Sequence, residues 1–273
     1  MHKNIDEVEF VIFDTETTGL EPESGDRIVE LAGVRFKGNK RIATFQSLIN
    51  PHRPISEAAF SVNKISAKML EGAPEAEAVL PQFLSFIQGS CLSSYNAGFD
   101  LGFLNNELKL INKKLSEDVL AVDILKMARR LMPGLERYAL WFVADSLGIK
   151  NEQSHRALSD VELSLGVFNK LKERLESKGI LDFFNFYHLF VINKNVLEDI
   201  SNQRLAEIQE AIGLKVKLKI RYLSSSRAEV SEREVIPKEI KQENKRNYLV
   251  GYCCLRKEER TFRVDGILHL EIL

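Results

Sequence analysis

Residues Phe10 to Leu20 read F-V-I-F-D-T-E-T-T-G-L, and this stretch decides the fold. The apolar run Phe10-Val11-Ile12-Phe13 has the length and β-rich composition of a buried strand. It ends abruptly in two carboxylates, Asp14 and Glu16. Strand side chains alternate between faces, so Asp14 and Glu16 point one way and Thr15 the other. Paired carboxylates at a strand end repel each other and lose hydration. A divalent cation removes both costs, and hard oxygen ligands suit Mg²⁺ or Mn²⁺. Thr17-Thr18-Gly19-Leu20 follows as a tight loop that sets hydroxyls beside the acids.

Outward from that stretch, 273 residues suffice for two domains or one large one. A hydrophobic content of 44% and a charged content of 28% are those of a soluble globular chain. No apolar run approaches a membrane span, and the polar N-terminus Met1 to Glu7 is not a signal peptide. Cys91, Cys253 and Cys254 are odd in number and fit no zinc spacing, which places the chain in a reducing cytoplasm. Charge is uneven: Ala206 to Leu273 carries 14 Lys and Arg against 11 Asp and Glu, and the remainder carries 24 against 28. That balance permits a nucleic-acid partner for the C-terminal part without demanding one.

Arg27–Phe36 and Ile42–Ile49 read as a second and third strand joined at Gly38-Asn39, so the chain opens as an antiparallel meander. Asn50-Pro51 and Pro54 stop it. Helix and strand then alternate: helices over Glu75–Ile87, Asp100–Leu110, Asp123–Arg130, Arg137–Ser146 and Leu158–Leu175, and short strands over Cys91–Tyr95 and Val119–Val122. A meander followed by β-α-β units implies a mixed sheet with helices on its faces. After Lys178-Gly179, Phe183, Phe184, Phe186, Tyr187 and Phe190 are expected to bury a connecting helix. A short helix, Ala206–Ile212, then precedes strands over Lys215–Tyr222, Arg233–Ile236, Tyr248–Leu255 and Thr261–Val264, a small separate β domain.

Two more stretches can complete an acidic site. Asp100, in Tyr95-Asn96-Ala97-Gly98-Phe99-Asp100, opens a helix after a strand, a place where Asp is also a common N-cap. In His155-Arg156-Ala157-Leu158-Ser159-Asp160, His155 and Asp160 converge only if His155 lies in the loop before the helix and Asp160 in its first turn. Four acids and one His suit two-metal hydrolysis of a phosphodiester, in which cations roughly 4 Å apart clamp the attacking and leaving oxygens. A His with a near-neutral pKa takes the proton from the attacking water.

D-T-E-T-T-G (Asp14–Gly19), N-A-G-F-D (Asn96–Asp100) and H-R-A-L-S-D (His155–Asp160) resemble the three motifs of the DEDDh exonucleases, the family of proofreading subunits of bacterial DNA polymerase III. The resemblance spans about Val8 to Leu175 and includes Ile49-Asn50-Pro51 and Leu147-Gly148-Ile149. It implies an RNase H-like fold and release of 5′-mononucleotides from a 3′ end with two divalent ions, Mg²⁺ or Mn²⁺. By position it implies Asp14, Glu16, Asp100 and Asp160 as metal ligands, with Glu16 also catalytic, and His155 as general base. It makes Thr17, Thr18, Leu20 and Phe103 candidates for holding the terminal nucleotide; ordinary apolar packing competes for Leu20 and Phe103. The chain departs from the family at Val62-Asn63-Lys64-Ile65-Ser66, where relatives often read V-H-G-I-T, and at Tyr95, often His.

The C-terminal part resembles a WYL domain, a small Sm/SH3-like β-barrel. The matching pieces are Ile220-Arg221-Tyr222, Arg233 with Pro237, Tyr248-Leu249, and Arg260-Thr261-Phe262-Arg263 with Ile267; Asn247 replaces the Trp, and Gly266 a common Arg. Such domains are associated with nucleic-acid or nucleotide-like ligands and with regulation of a partner domain. Tyr222 and Tyr248 offer stacking faces, and Arg233, Arg256 and Arg263 offer phosphate contacts. Core-filling tyrosines and locally paired arginines are the competing reading.

The expected organisation is therefore an exonuclease domain over 1–178, a connecting helix over 179–205 and a WYL domain over 206–273. The expected activity is metal-dependent 3′→5′ hydrolysis of single-stranded DNA, in proofreading or repair, with a polymerase or repair protein as possible partner. The alternatives are an RNA exonuclease, since the acids act on phosphates that both polymers share, and a catalytically silent nucleic-acid or ligand sensor.

Overall fold

The computed structural model describes residues 3–150, 156–192 and 194–273. Its first sheet has five strands in the order β3-β2-β1-β4-β5: β1 (Glu9–Thr17), β2 (Ile28–Lys37), β3 (Lys40–Leu48), β4 (Cys91–Ser94) and β5 (Ala121–Asp123). β1 to β3 form the antiparallel meander, and β1 pairs parallel with β4, and β4 with β5. Central β1 is covered on both faces, which is why its first residues are apolar without interruption. Phe10 and Ile12 join a core with α5 (Ile124–Leu131), α6 (Leu140–Ser146), α7 (Ala157–Glu176) and α8 (Phe183–Phe190). Val11 and Phe13 join another with α3 (Ala76–Ile87) and α4 (Ala97–Leu110).

The remaining helices are two short ones, α1 (Glu57–Asn63) and α2 (Ala67–Leu70), and the long α9 (Lys194–Leu214). The serine side chains of Ser56 and Ser66 cap α1 and α2 by accepting from Ala59 and Met69 N–H groups. In α8 most of the aromatic cluster packs inward: Phe186 and Phe190 are buried, and Phe10 lies among Phe168, Phe183 and Phe186. These rings fasten α8 to the sheet, as expected, whereas Phe184, expected to be buried with them, is 38% exposed.

The second sheet is antiparallel, in the order β10-β6-β7-β8-β9. Its strands are β6 (Leu218–Leu223), β7 (Val230–Glu243), β8 (Arg246–Cys253), β9 (Glu258–Arg263) and β10 (Ile267–Ile272). Ile208 and Ala211 of α9 fill one core with Leu218, Val235, Leu249 and Phe262 of this sheet. β7 extends well past the expected Arg233–Ile236, because a register shift between Pro237 and Glu239 accommodates the missing Pro N–H. Two residues of the C-terminal part, Leu223 and Leu268, belong instead to the core built on α5 to α8, so the two modules share buried surface.

Candidate active site

β1 delivers Asp14 and Glu16 to one end of the first sheet, on the face covered by α7. Asp160 stands in the first turn of α7, with its N–H donating to Arg156 O at 3.1 Å. Asp14, Glu16 and Asp160 each offer a carboxylate oxygen, and these atoms lie within 4.8 Å of one another. All three side chains are half-buried.

The fourth acid arrives from the opposite face. Asp100 lies in the first turn of α4, is 2% exposed, and sits against Thr15, the residue between the two β1 acids. Thr15 N–H and Oγ1 both donate to Asp100 Oδ1, at 2.9 and 2.8 Å, and Ser94 Oγ donates to Oδ2. The strand alternation that sends Thr15 away from Asp14 and Glu16 thus gives Asp100 its anchor. Asp100 is therefore held beside the trio by Thr15 and Ser94, its charge acts on Asp14 more than that of any other acid, and Oδ2, which accepts one hydrogen bond, keeps a lone pair.

The electrostatics follow from crowding. Burial, then Asp100, Glu16 and Asp160, raise the Asp14 carboxyl well above the ordinary range. Glu16 is pushed up to about 8, first by burial and then by Asp160, Glu30 and Asp100. Asp100 rises to about 6 through burial, against the lowering effect of the Ser94 and Thr15 hydrogen bonds. Such a set carries either extra protons or a cation. Hard carboxylate oxygens at this spacing, on two rigid elements, fit a divalent metal ion.

Glu30, across from Glu16 on β2, was not singled out by the sequence, where it is one acid inside an apolar strand. It is wholly buried and receives Arg156 through Nε at 2.9 Å and Nη2 at 2.8 Å. It also accepts Ala157 N–H at 3.2 Å, capping the α7 end that carries Asp160. Burial opposes its ionised form, but the Arg156 and Gln46 hydrogen bonds bring its pKa below the usual value. Glu30 and Arg156 thereby fix the start of α7 on the sheet. His155 lies outside the described residues, immediately before Arg156.

The candidates for nucleotide contact separate by exposure. Leu20 is 74% exposed beside the acids' loop, whereas Phe103 is 0% exposed and packs against Phe99 in the α3/α4 core. Phe103 therefore supports α4 instead of lining the site, because its place on α4 faces the sheet. Thr18 is buried, its hydroxyl donating to Asp26 Oδ1 and accepting Arg27 N–H. Thr17 Oγ1 donates to Gly19 O, and Thr17 O accepts Asn63 Nδ2 at 3.2 Å. Both hydroxyls shape the loop. A Cβ on Gly19 would stand 2.2 Å from Asp26 Oδ2, so a larger residue there would displace the Asp26 carboxylate that accepts the Thr18 hydroxyl. Asn63, standing where relatives often have His, is a buried brace, and Lys64 takes the left-handed C-cap conformation usual for Gly.

The four C-terminal candidates are distributed over neighbouring parts of the second sheet. Tyr222 and Arg233 line a 430 Å³ cavity with Arg227, Arg256 and Arg260 and the loop Ser224–Ser226. Arg263 faces another cavity and is paired with Asp265, while its backbone N–H donates to Tyr222 Oη at 3.4 Å. Tyr248 lies opposite Arg263 in the β8/β9 ladder, half-buried.

A mixed sheet with a carboxylate cluster at the end of its central strand, followed by a second β module, defines the class. The exonuclease family model (RNase_T) matches residues 11–168, and the WYL domain model matches residues 203–272. The chain belongs to the exonuclease family and carries a WYL domain in addition. It is 37% identical over 174 residues to the DNA polymerase III PolC-type of Caldanaerobacter subterraneus subsp. tengcongensis, covering 64% of this chain and 12% of that one. It is 33% identical over 268 residues to the PolC-type enzyme of Oceanobacillus iheyensis, covering 94% of this chain and 18% of the relative. A DNA polymerase III subunit epsilon-like protein of Rhodobacter capsulatus is 37% identical over 183 residues, 66% of this chain and 26% of its own length. The chain thus spans about an eighth to a quarter of these relatives. Among solved structures it is similar to Exonuclease X in complex with 5′ overhanging duplex DNA, with a TM-score of 0.50, 27% identity and coverage of 62% of this chain and 93% of that one. The zinc-bound E. coli ExoI–ssDNA complex has the same fold over 89% of this chain and 54% of its own, with a TM-score of 0.62 and 18% identity.

Proposed function

We propose that the chain is a divalent-metal-dependent 3′→5′ exonuclease that shortens single-stranded DNA to 5′-mononucleotides. The observation that carries this reading is the convergence of Asp14, Glu16 and Asp160 ligand atoms within 4.8 Å. Asp14, Glu16, Asp100 and Asp160 would hold the metal, two Mg²⁺ or Mn²⁺ ions in this reading, the first, second and fourth from the clustered trio and Asp100 from beside Asp14. When bound, the ions supply Lewis-acid stabilisation of the negative charge that develops on the phosphate. The rest falls to side chains. His155 accepts the proton of the attacking water on a ring nitrogen. Arg156, the first described residue of that motif, is locked to β2 by Glu30. Thr17 and Thr18 keep the loop after the acids in shape, and exposed Leu20 meets the terminal base.

The chain divides in this reading into an exonuclease domain (1–178), an aromatic connecting segment (179–205) and a WYL domain (206–273). Helix α9 runs through the last boundary and contributes Ile208 and Ala211 to the WYL core. The cavity of Tyr222, Arg233 and the neighbouring arginines is where the WYL domain takes nucleic acid or a regulatory ligand. Relatives named as DNA polymerase III favour DNA over RNA and make a polymerase or a repair protein the expected partner. Three unpaired cysteines suit a cytoplasmic setting, and among the described residues no helix is long and apolar enough to cross a membrane.

The test is digestion of 3′- and 5′-labelled single-stranded DNA and RNA with Mg²⁺, Mn²⁺ or EDTA, beside Asp14→Ala. A metal-dependent ladder receding from the 3′ end, absent in the variant, is expected. Digestion unchanged by Asp14→Ala would sink the reading, and tight binding without hydrolysis would favour the silent sensor.

A further inference from the structure

The cleft between the two modules gathers positive charge with little to balance it. It has a volume of 370 Å³. Lys126, Arg129 and Arg130 line it from α5, and Arg246 and Arg263 from the WYL sheet, with Asp265 the one acid among its lining residues. That acid is already engaged. Asp265 pairs with Arg263 and accepts Arg130 Nη1 at 3.5 Å. Five cations around one lining carboxylate leave a surplus that repels itself even though Asp123, behind the cleft, offsets part of the Lys126 charge.

Two buried donors in the same cleft lack an acceptor. Arg130 is 8% exposed, and its Nε has no hydrogen-bond partner. His188 is 2% exposed and also lines the cleft. Arg204 Nη1 lies 2.7 Å from His188 Nε2. A guanidinium only donates, so Nε2 must accept, and the neutral ring carries its proton on Nδ1. That Nδ1 has no partner either. Burial, then the charge of Arg204, lowers the His188 pKa to about 3, so the ring is neutral at neutral pH. A buried unpaired donor costs about 1–3 kcal/mol, and this cleft holds two beside its excess of cations.

One kind of ligand answers both needs: a multiply charged anion with several acceptor oxygens. We propose that the interdomain cleft binds a phosphate group of a nucleotide, with Arg130 Nε and His188 Nδ1 as its buried donors and Lys126, Arg129 and Arg246 as its counter-charges. The cleft is at the small end of ligand pockets, which run from ~300 to ~1,000 Å³, and this size suits one nucleotide. Its two walls come from different modules, so a bound phosphate ties the WYL sheet to α5 and α8. The phosphate can be that of a free mononucleotide or one in a strand. The site is independent of the acidic centre and stands whether or not that centre hydrolyses DNA.

The test is calorimetric titration of the full chain carrying Asp14→Ala, in EDTA, with thymidine 5′-monophosphate, tetrathymidylate and, as the phosphate-free control, thymidine. At least one phosphate-bearing probe is expected to bind and thymidine not to. Arg246→Glu and Arg129→Glu, both at exposed positions that leave the fold intact, are each expected to weaken binding at least tenfold. Tight binding of the monophosphate identifies a free nucleotide as the source; binding of the tetranucleotide alone identifies a strand. Absence of binding by both phosphate probes overturns the proposal, as does equal affinity in both charge-reversed variants.

Discussion

Thr15 joins acids that reach the same strand end from opposite faces of a sheet. Its N–H and hydroxyl hold Asp100 Oδ1, while its neighbours Asp14 and Glu16 turn toward Asp160. Thr15→Val keeps the volume and deletes the hydroxyl, so a buried carboxylate loses one donor. A hydrogen bond to a charged group is worth about 1.5–3 kcal/mol, so kcat is expected to fall about tenfold or more with KM little changed. Thr15→Ser should restore the rate; a Val variant as active as the parent would show that Thr15 does not position Asp100. Glu107 makes a second residue-scale case. It is 1% exposed and receives Arg27 Nε and Nη2 and the N–H of Ile28. Glu107→Ala strands that cation and N–H together, and a loss of about 3–5 kcal/mol is expected in urea unfolding. A loss below 1 kcal/mol would mean that solvent replaces the carboxylate.

At the scale of elements, the unbroken apolar start of β1, the turn at Gly38-Asn39 and the β-α alternation after Pro54 were legible because each follows from local periodicity or turn chemistry. The two short helices were not, since seven and four residues are too few to display a period; only the serines at Ser56 and Ser66 signal them. β7 was read short because Pro237 normally ends a strand, whereas here it sits at a register shift. α9 was recognised only over Ala206–Ile212, and the final strand β10 was missed, its Ile267–Ile272 run being short and preceded by Gly266. The site was legible as a set of residue types in order. The division of labour within it was not, because the face of β1 that meets α4 is a tertiary fact. So of the two α4 candidates, Asp100, expected as a metal ligand, reaches Thr15, and Phe103, for which apolar packing competes with nucleotide contact, fills the core. The aromatic packing on β1 gives its own prediction. Phe10 is 1% exposed, with ring centroids of Phe168, Phe186 and Phe183 at 5.1, 5.7 and 6.0 Å. Phe10→Ala is expected to cost about 3–5 kcal/mol in urea unfolding, and a cost under 1 kcal/mol would mean that α8 is not anchored there.

Across the whole molecule, the modules meet through Leu223 and Leu268 in the first core and through polar groups around His188. Those groups are Arg204 of α9, Arg130 of α5 and Asp265 before β10, with Lys126, Arg129, Arg246 and Arg263 along the same cleft. Because His188 falls from its ordinary 6.5 to about 3, the unfolded chain takes up a proton below pH 6.5 that the folded chain refuses. Stability contributed by this group is therefore complete above pH 6.5 and is lost as the pH falls toward 3, by at most about 5 kcal/mol. His188→Gln should flatten that part of the stability profile relative to the parent; parallel profiles would show that His188 does not titrate differently on folding. The central claim concerns the other end of the molecule, where Asp14, Glu16 and Asp160 converge. It is tested most directly by identifying the first product released from single-stranded DNA in Mn²⁺, by chromatography and mass, for the parent and for Asp160→Asn. The account predicts 5′-mononucleotides as the first product of the parent and none from the variant at the same enzyme concentration. Oligonucleotides as the first product, or mononucleotides released equally fast by Asp160→Asn, would contradict it.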